Sequence, residues 1–325
     1  MDFSNKLEIK YTFNEKSNYL DAFIRNRCEK EILTMVRSLA DMFDVRLMVY
    51  TEPTEMADGY REIWSIAGED ARCISVIINM TMQILTRPTL SIGGQNRMQR
   101  TEEDEREMQR EVALFRRELK LKAHGVPTRL VSLLSSSPRF CKYKSNFFES
   151  IKGCLKVRKM TLRELNDRNR SRSGQLEVKR EQFDQFILRS DELPPLKDLN
   201  AIIEIISPVL TDARYRWKGI YNKSGAMIDF YMQDDEFKKQ MVDDKIAFSS
   251  GMCIECVLEI SRKLSELGEI IHAGYVVTTV VKTRFGKIEV ITPQGKKHLR
   301  KQQAEREQLT LDLFMYNSSL KNSQA

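Results

Sequence analysis

The sequence predicts an α+β protein: a small N-terminal α/β unit, a helical and basic middle region, and a C-terminal antiparallel β-barrel-like domain of the OB or SH3-like kind with a tail. Three observations predict it. The first ~90 residues read as strand, helix, strand, strand, helix. Residues Ile202 to Ile291 read as short alternating strands with one helix among them. Between the two lies the densest positive charge of the chain. The divisions expected are 1–95, 96–195, 196–293 and a charged tether with a terminal peptide over 294–325.

A chain of 325 residues is long enough for about two or three domains, each with its own core. Its apolar share of 41% and charged share of 30% are those of a globular protein in water. The longest apolar runs, Cys73 to Ile78 and Ile202 to Ile206, fall far short of the roughly 20 residues that span a bilayer. Met1 to Asn5 lacks a basic stretch followed by an apolar one, so no secretory signal is expected. These features predict a cytoplasmic protein with no membrane partner. The cysteines at 28, 73, 141, 154, 253 and 256 are scattered within apolar patterns, where thiols act as small hydrophobes rather than as a disulfide framework.

Lys6 to Phe13 alternate with period two and predict a strand. From Tyr19 to Phe43 apolar residues recur at helical spacing, with Ser17 or Asn18 as the expected cap. Val45 to Tyr50 and Tyr60 to Ala67 predict two further strands around a turn rich in Pro, Asp and Gly. A second helix is expected from about Asp70 to Leu85, closed by Pro88. After a flexible stretch over Leu90 to Gln99, Thr101 caps a third helix, acidic at its start and basic at its end, as the helix dipole favours. Its narrow stripe of Met108, Val112, Phe115 and Leu119 fits a connecting helix laid on the body, or pairing with a partner helix.

A short helical piece from Leu130 to Leu134 leads into the basic segment. From Arg139 to Arg180 there are 13 Lys or Arg against 4 Asp or Glu, a balance of +9 in a chain whose total is +7. Arg139, Lys142, Lys144, Lys152, Lys156, Arg158 and Lys159 are interleaved with Phe140, Tyr143, Phe147 and Phe148. Cations that follow phosphates and rings on which bases stack are what nucleic acid needs. The nucleic-acid-binding residues expected are the seven cations with Tyr143 and Phe147. The other reading of the same residues is the core face of an amphipathic helix. Asp167 to Gly174 are polar throughout and predict a mobile loop, Glu177 to Leu188 return to order, and Pro194-Pro195 mark a boundary.

In the β-rich block Ile202 to Ile206 predict a buried strand ended by Pro208. Tyr215 to Tyr221 and Ile228 to Met232 predict a hairpin across Asn222 to Gly225. Asp234 or Asp235 caps a short helix over Glu236 to Val242. A long alternating strand follows, with Ile246, Phe248, Met252, Ile254, Cys256, Leu258 and Ile260 on one face. Turns at Gly268 and Gly286 lead to strands over His272 to Thr283 and Ile288 to Ile291. After Pro293 a charged stretch reads as a tether or weak helix.

That stretch ends in Gln308-Leu309-Thr310-Leu311-Asp312-Leu313-Phe314. The heptad resembles the peptide by which bacterial replication and repair proteins dock on the DNA sliding clamp, of the QLxLxL or QL-[S/D]-LF type. The resemblance implies the bacterial clamp as partner, with Leu309, Leu311, Leu313 and Phe314 as the apolar docking residues and the Gln308 amide bonding the backbone of the cleft. It covers seven residues and departs from the tightest pattern at Asp312. The other reading is a terminal strand or helix turn packing those leucines on the chain's own core.

No enzyme signature stands out. Cys253-Ile254-Glu255-Cys256 lies within an alternating strand, which points its two thiols to opposite faces, and lacks the second ligand pair of a zinc site. Gly93-Gly94 lack the GK[ST] of a phosphate loop, and His124, His272 and His298 have no recognisable partners. No catalytic residue, metal or cofactor is predicted. The expected function is a non-enzymatic nucleic-acid-associated accessory protein of bacterial DNA metabolism, of a mobile element or of defence, recruited to the clamp. A protein-interaction or ligand-sensing module is the alternative. A metal-dependent nuclease using Asp229 or Glu204 ranks third.

Overall fold

The computed structural model describes residues 5–52, 59–89, 102–120, 125–209, 215–243 and 251–322, with only the backbone at 102–104, at 306 and from 309 onward. The Thr101 cap, the stretch over 90–99, His124, and strand positions Ile246 and Phe248 lie outside the described residues. The chain divides into two units, Met1–Asp191 with Leu264–Ile270, and Glu192–Lys263 with Ile271–Ala325.

The first unit is built on five strands: β1 Asn5–Phe13, β2 Leu47–Glu52, β3 Tyr60–Gly68, β4 Val157–Leu165 and β5 Leu176–Lys179. They lie in the order β2-β3-β1-β4-β5, all antiparallel. Helix α1, Ala22–Phe43, connects β1 to β2 across β3, and α2, Ala71–Thr86, follows β3. Each β-α-β crossover thus skips a strand that fills the gap between its ends, the split arrangement called ferredoxin-like. The α/β unit expected over 1–95 is therefore completed by two strands from the expected middle segment. Asp70 caps α2 by accepting from Arg72 N at 2.8 Å, whereas α1 is capped by Asp21, not by Ser17 or Asn18. Asp21 accepts from Phe23 N and Ile24 N at 2.9 and 3.0 Å.

Alternation along β1 turns Leu7, Ile9, Tyr11 and Phe13 into the core shared with α1 and α2. The other face of β1 is charged. Glu8, 1% exposed, takes Arg61 at 2.6 Å and also Arg163, while Glu52 takes Lys6 at 2.6 Å and accepts from Ser65 Oγ. Three more helices complete this unit: α3 Glu102–Lys120, α4 Thr128–Ser135 and α5 Pro138–Lys152. The α3 stripe packs on the unit's own core through buried Phe115 and Leu119 and half-buried Met108 and Val112. Within the polar stretch 167–174 the chain turns over 166–170, with Asn166 Oδ1 accepting from Arg168 N and Arg170 N at 3.0 and 2.9 Å, and Ser171 then bridges Leu165.

The second unit holds β6 Glu192–Ser207, β7 Trp217–Tyr221, β8 Met227–Met232, β9 Cys253–Leu264, β10 Ile270–Phe285 and β11 Ile288–Ile291. The sheet order is β11-β10-β8-β7-β6-β9, and a further β10–β9 pairing closes five strands into a barrel. The barrel is closed rather than partly open. One of its pairs, β8–β10, is parallel, a departure from the all-antiparallel expectation. Pro194 and Pro195 lie inside β6, where the register with β9 shifts between Leu193 and Leu196. A bulge tolerates residues that cannot donate to the ladder. Gly225 (φ 64) supplies the left-handed turn expected between β7 and β8.

Helix α6, Asp235–Val242, is capped by Asp234, which accepts from Phe237 N at 2.9 Å, and buries Phe237 in the barrel core. Helix α7 runs over Pro293–Asn322, a helix where a tether or weak helix was expected. Its first turn is fastened to β10. Thr292 Oγ1 donates toward Val280 O and Val281 O at 2.5 and 3.2 Å and accepts from Gly295 N at 2.9 Å. A Cβ on Gly295 would overlap the carbonyl of Val281.

Candidate nucleic-acid interface

The basic segment forms α5 and β4. Ser137 caps α5, Pro138 sits in its first turn, and the helix turns Phe140, Tyr143, Phe147 and Phe148 inward. Phe147 meets Phe148 edge-on at 5.1 Å, and Phe148 stacks on Phe186 at 4.2 Å. Tyr143 and Phe147, 4% and 0% exposed, are core side chains on which no base can stack, which corrects that part of the expectation.

Several of the cations are also committed within the unit. Lys142 contacts both oxygens of Asp191 at 2.9 Å, and Lys144, at 0% exposure, donates to Arg87 O and Ser135 O at 3.0 and 2.8 Å. Those carbonyls end α2 and α4, where an ammonium group complements both the unpaired oxygens and the dipole. Lys152 pairs with Asp184 at 2.5 Å and Lys159 with Glu177 at 2.7 Å. Lys156 lies over the rings of Phe13 and Tyr19, 4.7 and 5.1 Å from their centroids. Arg139 and Arg158 are exposed. The nine predicted residues do not assemble one continuous surface of rings and cations.

A ring and two cations come together on one face of the barrel. Along β7 the side chains of Trp217 and Tyr221 point into the core, which leaves Lys218 and Ile220 outward. Along β8, Ile228, Phe230 and Met232 point inward, which leaves Met227, Asp229 and Tyr231 outward. The register sets Lys218 beside Asp229 and Ile220 beside Met227. Arg216, just before β7, places its guanidinium 5.1 Å from the centre of the Tyr231 ring. Met227 and Tyr231 are 66% and 42% exposed. The neighbouring strand β6 adds Glu204, opposite Ile220, and exposed Ile206. The result is an outward face with one ring, Tyr231, two cations, Arg216 and Lys218, and one central carboxylate, Asp229.

This face is not a contiguous basic-aromatic segment in the sequence, because its members sit on two strands separated by a turn. The legible signal was the alternation Arg216-Trp217-Lys218 against Asp229-Phe230-Tyr231, read for its outward positions.

The remaining candidates are dispersed. Cys253 is half-buried and Cys256 buried, on opposite faces of β9 as expected. His272 Nδ1 lies 3.1 Å from the hydroxyl of Tyr275. Among the described residues no three His, Cys, Asp or Glu side chains are grouped to hold a metal ion. Gln308 is exposed on α7, and the side chains of Leu309, Leu311, Leu313 and Phe314 lie outside the described residues. No described helix is long and apolar enough to cross a membrane.

No family model, no curated protein and no solved structure matches the chain.

Proposed function

We propose that the protein is a non-enzymatic nucleic-acid-binding accessory factor that engages its ligand through the outer face of β7 and β8. One observation carries the reading. The barrel order β6-β7-β8-β10-β9, with α6 between its third and fourth strands, is the OB arrangement, and that arrangement uses the face of its second and third strands for oligonucleotides. Fold alone does not assign function, so the weight falls on the side chains at that place. Tyr231 offers a ring to bases, and Arg216 and Lys218 offer charge to phosphates.

Fluorescence anisotropy with labelled oligonucleotides tests this across a salt series. Affinity is expected to fall steeply with added salt, because each neutralised phosphate releases condensed counterions. An affinity that does not change with salt, or no binding at low salt, removes the reading.

Recruitment to the bacterial sliding clamp is the second part of the proposal. Gln308 stands exposed on α7, beyond the turns that fasten the helix to the barrel. Docking as an extended peptide requires the helix to unwind there. Purified clamp is expected to retain the intact chain and to release a chain truncated after Gln303. The protein-interaction alternative draws on the exposed apolar side chains of the terminal strand and its turn, Phe285, Ile288, Val290 and Ile291. Capture of a specific protein partner together with no affinity for DNA or RNA would favour it.

A further inference from the structure

We infer that the β7–β8 face takes a single strand rather than a duplex, and that Asp229 makes it favour bases bearing an amino group over thymine and uracil. This rests on the nucleic-acid reading above and adds the strandedness of the ligand and a residue that discriminates among bases.

The argument begins with a charge in the wrong place for phosphate. Asp229 is exposed in the middle of the face, with Met227 and Tyr231 on either side along β8 and Lys218 across from it on β7. A carboxylate repels a sugar-phosphate chain, so that chain is expected to follow the cations of β7, Arg216 and Lys218. The bases then project over β8, where Tyr231 and Met227 supply contact area. Bases lying there bring their edges to Asp229.

An ionised carboxylate only accepts hydrogen bonds. Cytosine, adenine and guanine each carry an amino group that donates to it. Thymine and uracil flank their one ring N–H with two carbonyl oxygens, which the carboxylate repels. A duplex keeps these edges occupied in pairing and its bases stacked on one another. It also has a second phosphate chain to accommodate, and the next strand offers that chain Glu204 rather than a cation. Stacking on exposed rings with phosphates along one row of cations is the arrangement that single strands use.

The experiment compares the full-length chain with Asp229→Asn, using labelled oligo-dC, oligo-dA and oligo-dT of equal length and a mixed-sequence duplex, by anisotropy at fixed salt. Asp229 is outward-facing, so the variant is expected to fold, and circular dichroism checks that it does. The wild-type chain is expected to bind oligo-dC and oligo-dA about five-fold or more tighter than oligo-dT, the size of one good base-edge contact. Asp229→Asn is expected to bring the three close to parity by raising affinity for oligo-dT. Equal binding of the three by the wild-type chain, or a preference unchanged in the variant, overturns the role of Asp229 while the nucleic-acid reading stands. Duplex bound as tightly as single strand overturns the strandedness. No binding to any of the four removes the parent reading and this one with it.

Discussion

Lys144 and Lys218 are the same side chain in two settings. Lys144 lies at 0% exposure in the first unit with its ammonium against two main-chain carbonyls, whereas Lys218 stands outward on β7 in the second. The first belongs to a segment with a balance of +9, and the second to a stretch that no charge count would single out. Of the dense cations, Lys142, Lys144, Lys152 and Lys159 are drawn to carbonyls or carboxylates, whereas the sparse pair Arg216 and Lys218 faces outward beside Tyr231. Charge along a chain measures what is there, and only the pairing of strands and the ends of helices decide what is left over for a ligand.

The contrast is most easily broken at Lys144. Lys144→Met leaves carbonyls that end two helices without their buried donor, and a loss of about 3 kcal/mol in stability is expected in urea unfolding. Oligonucleotide affinity per folded molecule is expected to stay unchanged. A variant that keeps its stability and loses affinity would place the ligand on the first unit.

Next in size is the double replacement Arg216→Ala with Lys218→Ala. It is expected to weaken oligonucleotide binding about ten-fold near physiological salt and to flatten the salt dependence. Stability is expected to change by no more than about 0.5 kcal/mol, as for other exposed positions. Equal salt slopes for variant and parent would show that these cations do not meet phosphate.

Two carboxylates, Glu62 in the first unit and Asp198 in the second, differ in the sign of their pH effect. Burial raises the Glu62 carboxyl above its ordinary value of 4.5, only partly offset by the Arg25 guanidinium 3.0 Å away. The folded state therefore favours the protonated form, and the stability tied to it is present at low pH and lost as pH rises through the folded pKa. Asp198 behaves oppositely. Burial pushes it up, but Lys223 at 2.8 Å and the Tyr221 hydroxyl at 2.6 Å outweigh burial and hold it below 3.8. Its stability is present above the ordinary value and lost as pH falls through the folded pKa. In urea midpoints measured across pH, Glu62→Gln is expected to remove the decline that begins at 4.5 and ends at the raised folded value, and Asp198→Asn the decline below 3.8. Identical pH profiles for parent and variants would contradict both assignments.

The smallest effect is expected at Lys156 and Arg158. Replacing both by Ala should change oligonucleotide affinity less than about two-fold, since the proposed ligand lies on other residues. A loss as large as that of the barrel double variant would give the first unit a share of the interface.

Much of the architecture was legible before any coordinates. Alternation locates β1, the run Tyr60 to Ala67 locates β3, helical spacing from about Asp70 locates α2, and Asp234 or Asp235 marks the start of α6. Gly225 marked the β7–β8 turn. What escaped was long-range. Val157 to Leu165 break the period-two pattern, with apolar residues at 157, 160, 162 and 165 and the cations Arg158 and Lys159 reading as a charge run, and nothing local says that this strand lies against β1, some 150 positions earlier. The α1 cap was misplaced because Ser17, Asn18 and Asp21 all have a capping side chain, and the choice depends on where the chain turns after β1. The barrel face was hidden for a related reason: Arg216 and Tyr231 become neighbours only once β7 and β8 pair.

The fastening of α7 has a mechanical consequence. With Thr292 latched onto β10 and no room for even a methyl group at Gly295, the helix leaves the barrel as a cantilever rather than a hinge. Gln308 then rides about 22 Å along the axis from Pro293, at 1.5 Å per residue. Whatever grips the far end would feel torque from the barrel directly, and a single added carbon at Gly295 should be enough to slacken that transmission.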